Sequence, residues 1–171
     1  MQQVKLVHDR GRIPLWALLA VMTLLKVGSA QTPAPTQGAE LMREFANSDD
    51  TDAFLRHTRI RPQLQQLLGA ELPHLEINLD VRGSVDVISG WLSVIGNAPH
   101  QGTEEEAVVC VSAYNLEVTA AILSDGIITA YARGSTYGTL PRCITDWITL
   151  ANSGHKDRLS QPQNVRMAEG R

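Results

Sequence analysis

The hydrophobic period of this chain changes once, from 3.6 residues to 2, and the change falls near Leu75. Few features constrain a fold more, because the two periods belong to helices and strands respectively. Before the change, residues 39–47 place Leu41, Met42 and Phe45 on one side of a short helix. Ser48, Asp49 and Asp50 are N-cap residues for a second helix carrying Phe54 and Leu55. Pro62 suits the first turn of a third, which runs to Leu68 with the stripe Leu64, Leu67 and Leu68 and stops at Gly69. Leu72-Pro73 is expected to end this helical third.

After it, Leu75, Ile77, Leu79 and Val81 alternate with Glu76, Asn78 and Asp80, which predicts a strand. Arg82-Gly83 reads as a turn. Val85, Val87 and residues 91–95 form the return strand, with Gly90 as a bulge. Strands follow over 107–113 and 116–123, joined tightly at Tyr114-Asn115. Ser124-Asp125-Gly126 is a hairpin turn leading into a strand over 127–132. Thr139 is expected to cap a last helix, starting near Pro141, with Cys143, Trp147, Leu150 and Ala151 on its core face and Ser153-Gly154 as its stop. The order predicts an α+β fold: an antiparallel sheet of five or six strands, with N-terminal helices and one C-terminal helix packed on one face and the other face solvated.

The opening segment reads as a secretory signal peptide over residues 1–30. Lys5, Arg10 and Arg12 precede a 13-residue apolar run, 13–25, and Gly28 and Ala30 stand where a signal peptidase cuts. A bilayer span takes about 20 apolar residues, so no stable membrane insertion is expected after cleavage. Residues 31–38 read as a leader, 39–154 as one domain and 155–171 as a frayed polar tail. Cleavage takes four of the 15 Lys and Arg and one of the 18 acids, leaving 11 against 17 and a net charge of −6. Such a balance argues against nucleic acid and for a cationic protein as partner. In an oxidising compartment Cys110 and Cys143 point to one disulfide, with two buried thiols as the other reading. A bridge would close about 33 residues and add a few kcal/mol.

Catalytic signatures are missing: there is no GxSxG elbow, P-loop, dinucleotide-binding glycine pattern or HExxH. His57, His74, His100 and His155 lack metal-ligand spacing. No metal, cofactor or catalytic residue is assigned. The segment that stands out is Gly96-Asn97-Ala98-Pro99-His100-Gln101-Gly102, too long for a tight hairpin between two clear strands. Pro99 fixes one backbone angle and biases Ala98 to extended backbone, which can hold His100 outward. A glycosidase cleft carries two carboxylates, and an imidazole has two nitrogens to offer them. A solvated loop histidine is the plainer alternative. Glu104, Glu105 and Glu106 read either as a lure for a cationic partner or as a solvated acidic loop. Trp91 and Trp147 read as core. Tyr114, Tyr131 and Tyr137 near strand ends read as edge or core packing, with an aromatic patch as the alternative.

Leu72-Pro73, the strand 85–88, Gly90-Trp91-Leu92, Pro99-His100 and the strands 107–113 and 116–123 stand in an order that resembles the periplasmic lysozyme inhibitors of the Ivy type. The resemblance implies that the chain is an inhibitor, not an enzyme, and that a loop histidine enters a lysozyme cleft to meet its catalytic acids. Residue by residue, Pro99 and His100 carry over, and Gln101, Glu104, Glu105 and Glu106 complete the expected contact surface. The cysteine pair that flanks the loop in that family is replaced here by Asn97 and Gly102. The partner implied is a cell-wall hydrolase such as a lysozyme or a lytic transglycosylase. The competing expectation is an accessory envelope protein of a secretion or conjugation system, binding through an open strand edge.

Overall fold

The computed structural model describes residues 36–152 and 161–168. The signal peptide expected over 1–30 and the helix stop expected at Ser153-Gly154 lie outside the described residues. The helical third begins with α1 (Gln37–Phe45), α2 (Thr51–Arg56) and α3 (Arg61–Leu68). Thr36 caps α1 by accepting the Ala39 N–H, and Asp50 caps α2 by accepting the Ala53 N–H. Pro62 sits in the first turn of α3, and Gly69 ends it at φ +57°.

Leu72-Pro73 does not end the helical region; it starts α4 (Leu72–Ile77), with the proline in the first turn where its missing N–H is no loss. The alternation over 75–81 concealed a second pattern: Leu72, Leu75 and Leu79 stand three and four apart, and all three are buried. Ile77 and Val81, which a half-buried strand would have turned inward too, are 57 % and 52 % exposed. The strand shrinks to β1 (Val81–Arg82).

Strands β2 (Asp86–Ile88), β3 (Trp91–Asn97), β4 (Glu106–Ser112), β5 (Val118–Ser124) and β6 (Ile127–Tyr131) form the antiparallel sheet, in which β1 and β2 share one edge of β3. Gly90 is not a bulge. With Ser89 (φ +51°) and Gly90 (φ +81°) it makes a two-residue turn between the paired residues Ile88 and Trp91. A side chain on Gly90 would also meet the Tyr114 ring at 2.7 Å. Asp125 (φ +50°) and Gly126 (φ +75°) make the same kind of turn between β5 and β6. The β4–β5 connection is longer than Tyr114-Asn115 alone, running from Ala113 to Glu117 with Leu116 at φ +60°.

The α+β class holds, but the helices divide between the two faces of the sheet. Leu41, Phe54, Leu64 and Leu75 pack with Leu92, Val94, Val109 and Ile122 on one side. Helix α5 (Arg142–Ala151) packs on the other, where Ile144, Trp147 and Ile148 meet Val108, Ala121 and Ile128. Strands β4 and β5 are therefore buried on both faces. The expected cap at Thr139 does not form. Thr139 pairs with Thr136 in a 3-10 turn, and Pro141 takes the N-cap position. Leu150 lies off the core face, 72 % exposed, and Ile144 and Ile148 fill that face instead. Within the stretch expected to fray, Val165–Met167 forms β7, parallel to β6, and buries Val165 in the α5 layer. Cys110 on β4 and Cys143 on α5 are joined by a disulfide, fully buried, with their Cα atoms 6.4 Å apart.

Candidate functional site

Strands β3 and β4 pair without interruption up to Asn97 opposite Glu106, and the chain between them leaves the sheet as an eight-residue loop, Ala98–Glu105. Ala98 is buried, and its N–H donates to the Glu105 carbonyl at 2.9 Å, which closes the base of the loop. Beyond that bond the run 99–104 is exposed throughout.

The ascending leg is a four-residue turn, with the Gln101 N–H donating to the Ala98 carbonyl at 3.1 Å. Pro99 occupies its second position and His100, at φ +63°, its third. That is the pattern of a type II turn, in which proline presets the first angle and the third residue must be left-handed. Histidine tolerates the left-handed region better than most side chains do. Among the described residues no hydrogen bond or ion pair engages the imidazole. The descending leg is held by the Glu104 and Glu105 N–H groups donating to the Gln101 carbonyl at 3.1 and 2.9 Å.

The remaining expected contact residues separate into two groups. Pro99, His100, Gln101 and Glu104 are exposed together on the loop. Glu105 and Glu106 turn back. The Glu106 carboxylate accepts the Thr103 N–H at 2.8 Å. Glu105, its side chain 20 % exposed, accepts the Ser124 hydroxyl on one oxygen at 2.6 Å. Its other oxygen lies 2.9 Å from the Asn78 amide nitrogen and 3.0 Å from His74 Nε2. Burial on its own would raise the Glu105 pKa. The bonds from Ser124, His74 and Asn78, with the nearby His74 charge, outweigh that and hold it below 4.5. Glu104 is thus the one exposed member of the three glutamates, while Glu105 and Glu106 keep their charge but also accept hydrogen bonds from the protein's own donors.

His74, Asn78 and Ser124 were not anticipated as site residues. They come from α4, its C-cap and the end of β5, and no local spacing in the sequence announces that they meet. Asn97 and Gly102 do lie together: the Asn97 amide donates to the Ala98 carbonyl at 2.8 Å, and a Cβ on Gly102 would stand 3.8 Å from the Asn97 side chain. The three tyrosines form no patch. Tyr114 is exposed over Gly90, Tyr131 packs on the N-terminal helical layer, and Tyr137 is buried in the α5 layer.

A cleft of about 370 Å³ lies among α2, α3, α4 and β1, lined by Asp52, Arg56, Arg61, Glu76, Asp80 and Arg82. Arg82 pairs with Asp52 and Arg61 with Glu76, so two of its three carboxylates serve as counter-ions. Among the described residues no helix is long and apolar enough to cross a membrane.

Neither a curated protein nor a solved structure matches the chain. A family model does, over residues 59–153, which takes in α3, α4, strands β1–β6 and α5 together with the proline-led loop. By that match, which spans more than half of the chain, the chain belongs to the inhibitor of vertebrate lysozyme (Ivy) family.

Proposed function

We propose that this protein is a periplasmic inhibitor of a lysozyme-like peptidoglycan glycosidase and that the Ala98–Glu105 loop is the part that enters the catalytic cleft. The observation that carries the reading is the position of His100: third in a proline-led turn, exposed, with its imidazole unengaged. A retaining glycosidase keeps two carboxyl groups about 5 Å apart, one as acid and one as nucleophile. One imidazole placed between them offers a nitrogen to each, and a protonated ring makes both bonds charge-assisted. Pro99 lowers the ordering cost of binding by fixing the turn beforehand. Glu104 adds an exposed negative charge on the same loop to draw in a basic enzyme. Segment 1–30 supplies export, and lytic transglycosylases, which act on the same polymer, are further candidate targets.

The test is turnover of a cell-wall substrate by a vertebrate lysozyme in the presence of purified residues 31–171. Stoichiometric loss of activity supports the reading; full activity at large molar excess, against lysozyme and lytic transglycosylases alike, refutes it. The accessory-protein reading rests on the open edge at β2, where Val87 is 43 % exposed. Capture of a membrane complex from envelope extracts, in place of a single soluble hydrolase, would favour it.

A further inference from the structure

The loop of this chain must hold its shape without a covalent staple, and the structure shows where the holding force comes from. The ascending leg is stiffened by Pro99 and by the Asn97 amide on the Ala98 carbonyl. The descending leg ends at Glu105, whose carboxylate reaches away from the loop into three donors on other elements. Ser124 binds Oε1 at 2.6 Å, and Asn78 and His74 bind Oε2 at 2.9 and 3.0 Å. Asn78 is itself 1 % exposed, and the same amide nitrogen donates to the Leu123 carbonyl at 3.1 Å and lies 3.4 Å from that of Glu106. The other ring nitrogen of His74 faces Glu71 at 3.6 Å. Four residues from α4, its C-cap, the loop and the end of β5 therefore meet at one carboxylate. Its backbone carbonyl closes the loop base against Ala98.

We propose that Glu105 is a positioning residue for the inhibitory loop: its grip by Ser124, Asn78 and His74 fixes the descending leg and so the direction in which His100 is presented. The assignment rests on the reading of this loop as the inhibitory element. The chemistry favours such a role over a contact role, because a carboxylate already satisfied by three donors has little left to offer a partner. Asn78 is buried and Ser124 ends a strand of the sheet, so two of the three donors are held by the packed body of the protein. A loop released from it would sample many conformations and lose them again on binding.

The test compares wild type with Glu105→Ala in residues 31–171, with two readouts: hydrogen exchange of the loop amides at Ala98, Gln101 and Glu105, and inhibition of a vertebrate lysozyme. The expected result is a folded variant with loop amides exchanging at least about tenfold faster and inhibition weakened by about tenfold or more. A disulfide at Asn97→Cys and Gly102→Cys in the Glu105→Ala background should then restore both, since it ties the legs by another route. Unchanged exchange and unchanged inhibition would overturn the proposal. So would faster exchange with full inhibition. If Glu105→Ala does not fold, Glu105→Gln and Ser124→Ala carry the same two readouts at smaller size. If wild type does not inhibit at all, the functional reading fails, and the exchange data alone decide whether Glu105 orders the loop.

Discussion

His100 combines two demands that ordinarily conflict, a left-handed backbone (φ +63°) and a functional side chain. Glycine would adopt that backbone without steric cost but would lose more freedom on folding, and the two effects nearly cancel. His100→Gly is therefore expected to change unfolding free energy by less than about 1 kcal/mol while weakening inhibition at least about tenfold. Urea denaturation and a lysozyme assay on the same preparation check both halves. Glu105 makes a prediction in pH. Its folded-state pKa is held below 4.5, so its contribution is complete above the unfolded value and is lost as pH falls through the lower, folded one. The stability difference between wild type and Glu105→Gln should shrink as pH falls below about 5. A difference that kept growing below about pH 5 would contradict the assigned bonds. Pro99-His100 was legible in the sequence because proline and its neighbour act locally. The inward turn of Glu105 was not, because its partners His74, Asn78 and Ser124 are 31, 27 and 19 residues away.

Among the elements, the hairpin turn at Asp125-Gly126 and the caps at Asp50 and Gly69 follow rules of immediate neighbours and were readable, whereas the turn at Ser89-Gly90 reads from the sequence as a bulge within one strand. Helix α4 was not, because residues 72–81 satisfy two periods at once and only the neighbouring helices decide between them. Gly38 on α1 shows the same dependence on distant structure. A Cβ there would stand 2.0 Å from the Ala113 carbonyl oxygen, which means that α1 lies directly on the β4–β5 connection. Gly38→Ala is expected to destabilise the protein by about 2–3 kcal/mol, read as a lower urea midpoint, as α1 gives way to relieve the overlap. A midpoint equal to wild type would show that α1 does not dock at that distance.

Across the whole molecule, the division of helices between two faces of the sheet had a signal that alternation hid. Strands covered on both faces read as near-continuous apolar runs, and 107–111 and 118–123 are such runs. The Cys110–Cys143 bridge joins the sheet to the α5 layer across a separation of 33 residues. Replacing both cysteines by alanine should cost about 3–4 kcal/mol, measured by urea denaturation, through the added freedom of the unfolded chain and the lost packing. The loop lies outside this core, so the bridge-free variant, where folded, should still inhibit.

The proposed function turns on an imidazole at the loop tip that engages the acids of a glycosidase. The most direct test is the dissociation constant for a vertebrate lysozyme of wild type beside His100→Asn, a substitution that tolerates the same left-handed backbone and lacks the ring. Wild type is expected to bind, and the variant to bind about 30-fold or more weakly, as the hydrogen bonds from the ring disappear. Equal affinity of the two proteins would contradict that function.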